Sequence, residues 1–304
     1  MTSAARATPS ASPVGDDRSL HTPILRISKQ LIRDLARRPS TSIVHLKEAA
    51  EADPAVTLNL FARVNSMLKR AGHDVVPDVS RAILFLGIQD FITDVETSIA
   101  LEDVIEPQDC GPMIQMLASA HHASRQGFAM GRLVGGVNCD EIVATTLTTQ
   151  ALAYMDAFNQ HQGKPSAATE VRKLLPGTAD DPAVSPVFRT CVEVACDYAA
   201  ATDSSWNDAS LNAIFARVGE LIRRDPDNVA SSMLRTTIDA ARMGVHFGSY
   251  APIPHLMALG LPTMPGGKQR VANSPSRKQN QTKQAPMVEK PSPVTASAKR
   301  DRLR

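Results

Sequence analysis

The sequence predicts an all-α, multi-helix bundle, and three observations carry that prediction. Apolar residues recur at helical spacing along most of the middle of the chain, and strand-like alternation is never sustained. Aromatic residues make up only 4% of the 304 residues while 43% are apolar, so Leu, Ile, Val, Met and Ala must fill the core. Asp-Pro pairs at Asp53-Pro54 and Asp225-Pro226 supply an N-cap followed by a first-turn proline.

The elements follow in order. Residues 1–19 are rich in Ala, Ser, Thr and Pro, have no apolar h-region, and read as a disordered leader rather than a secretory signal. Ile24, Ile27, Leu31 and Leu35 share one helical face. After Asp53-Pro54, the residues Val56, Leu60, Val64 and Leu68 form a stripe, with Asn59, Arg63 and Ser66 opposite. Ile88, Ile92, Val95 and Ile99 form another stripe, and Val143, Leu147, Tyr154 and Phe158 a third. The Pro- and Gly-containing stretch 160–186 reads as a joint between two lobes. Beyond it, Val187, Cys191, Val194 and Tyr198 repeat the pattern. Leu211, Ile214, Phe215, Val218 and Leu221 follow, started by Asn207 or Asp208. The last helix opens at Asp225-Pro226 and turns Leu234, Ile238, Ala241 and Val245 inward. The expected organisation is a leader 1–19, a helical domain 20–160, a second helical lobe 161–260 and a disordered tail 261–304.

Charge divides the chain. Residues 265–304 carry ten Lys and Arg against two acidic residues, plus five prolines, so the tail is strongly basic while the remainder is mildly acidic. Such a tail cannot bury enough surface to offset its ordering entropy. It has no aromatic residue to stack on bases, so a solubilising role is favoured over nucleic-acid binding. Cys110, Cys139, Cys191 and Cys196 form no Cys-x-x-Cys pair and read as reduced thiols in a cytoplasmic protein. No stretch approaches the roughly 18 apolar residues of a membrane span. Gly127, Gly131 and Gly135 are spaced for close helix packing inside the bundle, with a homodimer seam as the lesser reading.

Residues 48–101 contain Asp53-Pro54-Ala-Val-Thr57, then Val-Asn65-Ser66, then Ala82-Ile83-Leu-Phe-Leu86-Gly87. In order, spacing and residue type this stretch resembles the signature of the HDOD family. A looser resemblance continues through Ser119, Ala123 and Ala129 to about residue 160. The signature residues have physical roles of their own. Asp53 can cap its helix, Gly87 lies where a positive φ is needed between two helices, and Asn65 and Ser66 can bind backbone in the loop that follows.

HDOD domains are similar to HD-type metal-dependent phosphohydrolases, which hold metal ions on a His, a His-Asp pair and a further Asp to activate water and stabilise phosphoryl oxygens. The resemblance places the first His near Ala118 and the His-Asp pair near Leu147-Thr148-Thr149-Gln150, where poor metal ligands stand instead. His73-Asp74 is a literal His-Asp dipeptide, but it lies between Gly72 and Pro77 in the loop after Asn65-Ser66. His45, His73, Asp74 and His121 are therefore only weak candidates for a metal site, and no catalytic residue or cofactor is assigned. His121 reads as a buried or half-exposed side chain on the face of Leu117 and Phe128. The resemblance implies a non-catalytic signalling module that binds a partner protein in bacterial signal transduction. The alternatives are a divergent HD-type phosphodiesterase and a nucleic-acid-associated regulator using the tail.

Overall fold

The computed structural model describes residues 21–177, 184–204 and 208–246, and it is helical throughout, with no named strand among these residues. The leader 1–19, the tail 261–304, Asn207 and the side chain of Val245 lie outside the described residues. Twelve helices are described. The first six are α1 (Arg26–Ala36), α2 (Ile43–Ala52), α3 (Pro54–Arg70), α4 (Val79–Leu86), α5 (Ile88–Thr97) and α6 (Leu101–Val104). Two long helices, α7 (Pro107–Val134) and α8 (Cys139–His161), are followed by the short α9 (Ala168–Arg172). The last three are α10 (Pro186–Ser204), α11 (Asp208–Ile222) and α12 (Pro226–His246).

The start of α3 organises the N-terminal part. Asp53 is fully buried, and its carboxylate accepts from the Ala55 amide at 3.0 Å and the Leu25 amide at 2.8 Å. One side chain thus caps a helix and pins a segment 28 residues upstream. Burial raises the Asp53 pKa, and the hydrogen bonds from Leu25, Ser28 and the first turn of α3 oppose that rise. Asn59 was expected on the exposed face of α3. It is instead buried, accepting from the Thr22 amide and hydroxyl at 2.9 and 3.0 Å and donating to the Thr22 carbonyl at 2.8 Å. The Tyr154 hydroxyl donates to the Pro23 carbonyl at 2.8 Å. Ile24 then pairs with the 99–101 segment, donating to the Ile99 carbonyl and accepting from the Leu101 amide.

These clamps set the phase of α1. Ser28, Ile32 and Leu35 face the core, while Ile27 is exposed and Leu31 only partly buried, which corrects the expected stripe. On α5 the buried residues are Phe91, Ile92 and Val95, and Ile88 and Ile99 are exposed, a second correction. Gly87 joins α4 to α5 at φ +94°, a conformation that L side chains rarely adopt.

Two hydrophobic cores result. The first gathers residues from Ile24 to Leu175, with Phe61, Phe91 and Tyr154 among its largest members. The second is built from α10–α12 around Tyr198, Phe215 and Met233, and it takes Met130 from α7 and Ile142 from α8. Helices α7 and α8 therefore serve both cores. They approach closely because Gly127 and Gly131 face α8: a Cβ on either would lie 2.9 Å from Ile142 side-chain carbons. Gly135 ends α7 at φ +72°. The stretch after α8, read as a joint between two lobes, packs Ala168, Val171 and Leu175 into the first core.

The stripes on α8, α10 and α11 face inward as their spacing predicts, except that Val187 on α10 is only partly buried and Phe188 takes the core position. Helix α12 differs. Val229, Met233, Thr237 and Ala240 are buried, and Leu234, Ile238 and Ala241 are only partly so. Thr237 faces inward because its hydroxyl has partners there: Gln126 Nε2 donates to it at 2.8 Å, and it lies 3.0 Å from the Tyr198 hydroxyl and 3.1 Å from His122 Nε2.

Candidate functional site

The signature residue Asn65 is fully buried near the end of α3, and it holds two separate segments. Its Oδ1 accepts from the Val76 amide at 2.9 Å, and its Nδ2 donates to the Leu174 carbonyl at 2.7 Å. The first bond fixes the loop between α3 and α4, as the residue's place before that loop predicts. The second, across 109 residues, fixes the segment after α9. These two segments form two walls of an open groove of about 970 Å³, and the α7–α8 turn and the start of α10 complete it. It lies where the two cores meet, since Leu175 of the first and Phe188 of the second both line it.

The groove is chemically mixed. Lys69 at the end of α3, together with Arg172 and Lys173, brings cationic groups to it, and His73 adds an imidazole. Val75, Val137 and Val184 contribute apolar surface. Asp74 and Glu141 are the acidic residues of the lining. Glu141 accepts from Asn138 Nδ2 at 2.8 Å, and Asn138 caps α8 by accepting from the Asp140 amide. The Lys69 ammonium donates to the Lys173 carbonyl, and Lys173 pairs with Glu170 at 2.8 Å. Gly177 is required at its place, because a Cβ there would meet the Thr145 hydroxyl at 2.6 Å and its φ is +57°. Sequence reasoning missed this groove. Its walls come from four separate stretches, and the Asn-Ser pair at the end of α3 pointed only to the loop that follows it.

The metal candidates take separate roles. His45 is exposed and caps α2, with its Nδ1 3.2 Å from the Ser42 amide and hydroxyl. His73 and Asp74 are both exposed on the wall of the groove. His121 is buried in α7, and burial, aided by the nearby Arg125 charge, lowers its pKa to about 3, so it stays neutral. Among the described residues no group of three or more His, Cys, Asp and Glu could hold a metal ion.

The positions that the family resemblance sets against a hydrolase's ligands do not fit a metal either. Ala118 is buried and offers no donor atom. Thr148 is buried with its hydroxyl committed to the Ala144 carbonyl at 2.8 Å, and Thr149 is exposed. Gln150 hydrogen-bonds Cys196 of α10, whose thiol burial pushes up to about 11. Helix α10 thus packs against the Gln150 end of this stretch.

A second polar cluster lies beside α7. Lys47 of α2 donates to Asp140 of α8 at 2.5 Å, while Glu51 Oε1 lies 3.6 Å from the same ammonium and has no hydrogen-bond partner. Burial raises the Glu51 pKa to about 7; Lys47 opposes the rise and Asp140 adds to it.

No helix among the described residues is long and apolar enough to cross a membrane. No curated protein and no solved structure matches the chain. The family model for the HDOD domain matches residues 23–152, from the pinned segment before α1 into the second half of α8. The match begins where Asp53, Asn59 and Tyr154 clamp the chain, and it contains all nine signature residues. Residues 23–152 are thus similar to the HDOD domain, a signalling-associated family related to the HD hydrolases.

Proposed function

We propose that this chain is a non-catalytic regulatory module that works by binding a partner protein in bacterial signal transduction, in the cytoplasm. The observation that carries this reading is an exposed apolar surface inside the HDOD domain. Leu84, Phe85 and Ile88 are 62%, 47% and 43% exposed within five consecutive residues around Gly87. Val44 is exposed on α2, which packs against α4. Large apolar side chains held together on a rigid helix corner are what a protein interface needs at its centre. The commitments of Thr148 and Gln150 support a scaffold given over to packing at the positions that hydrolases use for metal.

The organisation proposed with this reading is an HDOD-like domain over 20–160 and a helical lobe over 161–260, flanked by a leader and a basic tail. The signature residues Asp53, Pro54, Thr57, Asn65, Ser66, Ala82, Ile83, Leu86 and Gly87 act as scaffold.

Affinity capture from the native host with the full chain, set against the Leu84→Asp/Phe85→Asp variant, tests the reading. We expect a reproducible partner that the variant loses while its circular dichroism is unchanged. Stoichiometric metal in the purified protein, with metal-dependent hydrolysis of a phosphodiester, would overturn it.

A further inference from the structure

The groove between the two cores is separate from the apolar corner at α4–α5, and its lining calls for a different ligand. Its cations are contributed by separate backbone segments: Lys69 by the end of α3, Arg172 by the end of α9 and Lys173 by the residue that follows it. Asn65 ties the loop after α3 and the segment after α9 to one buried side chain. The Lys69–Lys173 bond joins the cationic residues directly. The backbone of this wall is therefore fixed by the fold. Lys173 has Glu170 as its counter-charge, whereas Lys69 and Arg172 are exposed and have no carboxylate partner among the described residues.

The remaining surface is partly apolar, from Val75, Val137 and Val184, and Phe188 is already buried beneath it. A buried ring offers no face for stacking a nucleobase. Open apolar patches next to Lys69 and Arg172, which have no carboxylate partner among the described residues, instead suit a peptide whose carboxylates meet the cations while an apolar side chain lies against the valines. The volume, about 970 Å³, is at the large end of the range for pre-formed sites.

We propose that this groove binds an acidic segment of a partner protein carrying an apolar anchor, with Lys69 and Arg172 as the residues that select for acidity and Asn65 as the residue that positions the wall. This rests on the reading that the chain works by binding proteins, but it assigns a second surface.

The test pans a phage-displayed random peptide library against the full chain and measures an enriched peptide by fluorescence anisotropy. The enriched sequences should place Asp or Glu beside an apolar residue. The exposed charge reversals Lys69→Glu/Arg172→Glu should weaken binding by about tenfold or more, and Lys69→Gln/Arg172→Gln by less. Added salt should weaken it further, and Phe85→Asp should leave it unchanged. Failure to enrich any peptide, enrichment of neutral or basic sequences, or undiminished binding to the folded K69E/R172E variant would each overturn the proposal. A native partner that ignores K69E/R172E but is lost with L84D/F85D would sink the groove while leaving the binding-module reading intact.

Discussion

The two cores use buried polar residues in different ways. Around α3, buried polar side chains bond mainly to backbone, much of it distant in sequence: Asp53 to Leu25, Asn59 to Thr22, Asn65 to Val76 and Leu174. Around α12, buried polar side chains bond mainly to one another, with Thr237 as the hub among His122, Gln126 and Tyr198. The first arrangement fixes where loops and segments run. The second fixes how three helices, α7, α10 and α12, face one another. A backbone clamp leaves unsatisfied amides behind when it is lost, whereas a side-chain network can lose one member and rearrange.

The largest expected effect follows from that difference. Asp53→Ala removes the cap of α3 and strands the buried Leu25 amide, so it should cost about 3 kcal/mol in urea denaturation. Thr237→Val keeps the shape of the hub and removes only its hydroxyl, so about 1 kcal/mol is expected. If the two variants cost the same, the contrast between clamp and network is wrong. A double-mutant cycle of Thr237→Val with Gln126→Leu sharpens the point, because partners in one network should couple by roughly 0.5 kcal/mol or more.

The same contrast explains what could be read from the sequence. The start of α3 at Asp53-Pro54, the turn at Gly87, and the inward stripes of α8, α10 and α11 follow from local chemistry that the residues state outright. The phase of α1 does not, because Ile27 is turned outward by clamps on Thr22 and Leu25 that belong to residues more than 25 positions away. Nor does the phase of α12, where a satisfied Thr237 displaces Leu234 and Ile238 from the inward face. Apolar periodicity cannot show that a polar residue will find partners inside. The groove was hidden for the same reason: Asn65 is readable as a loop-binding residue, but its bond to Leu174 crosses 109 positions.

Glu51 gives a pH-dependent test near the seam of α2, α7 and α8. Its folded pKa is raised to about 7 from the ordinary 4.5, mainly by burial. The folded protein therefore binds a proton more readily than the unfolded chain. Stability from this group is greatest at low pH and falls as pH rises from 4.5 through about 7. The Glu51→Gln variant, neutral throughout, should flatten that fall: the variant's Tm should exceed that of the wild type above this window and approach it below. Parallel pH profiles for the two proteins would mean that Lys47 fully offsets the burial of Glu51.

The smallest expected effect is at the His-Asp dipeptide, and its smallness is informative. His73 and Asp74 are both exposed, and neither side chain joins Asn65 in holding the wall, since Asn65 bonds the Val76 amide instead. His73→Ala/Asp74→Ala should therefore shift stability by less than about 0.5 kcal/mol. Asn65→Ala, a few residues away, should cost about 2 kcal/mol, because it leaves the Val76 amide and the Leu174 carbonyl without their buried partner. The dipeptide looks like chemistry in the sequence and Asn65 looks like a helix-end residue, yet the bonds in the fold run through Asn65. If the double alanine variant proved as costly as Asn65→Ala, or removed a bound metal, the weight in this loop would lie on the dipeptide and the HD-type catalytic reading would return.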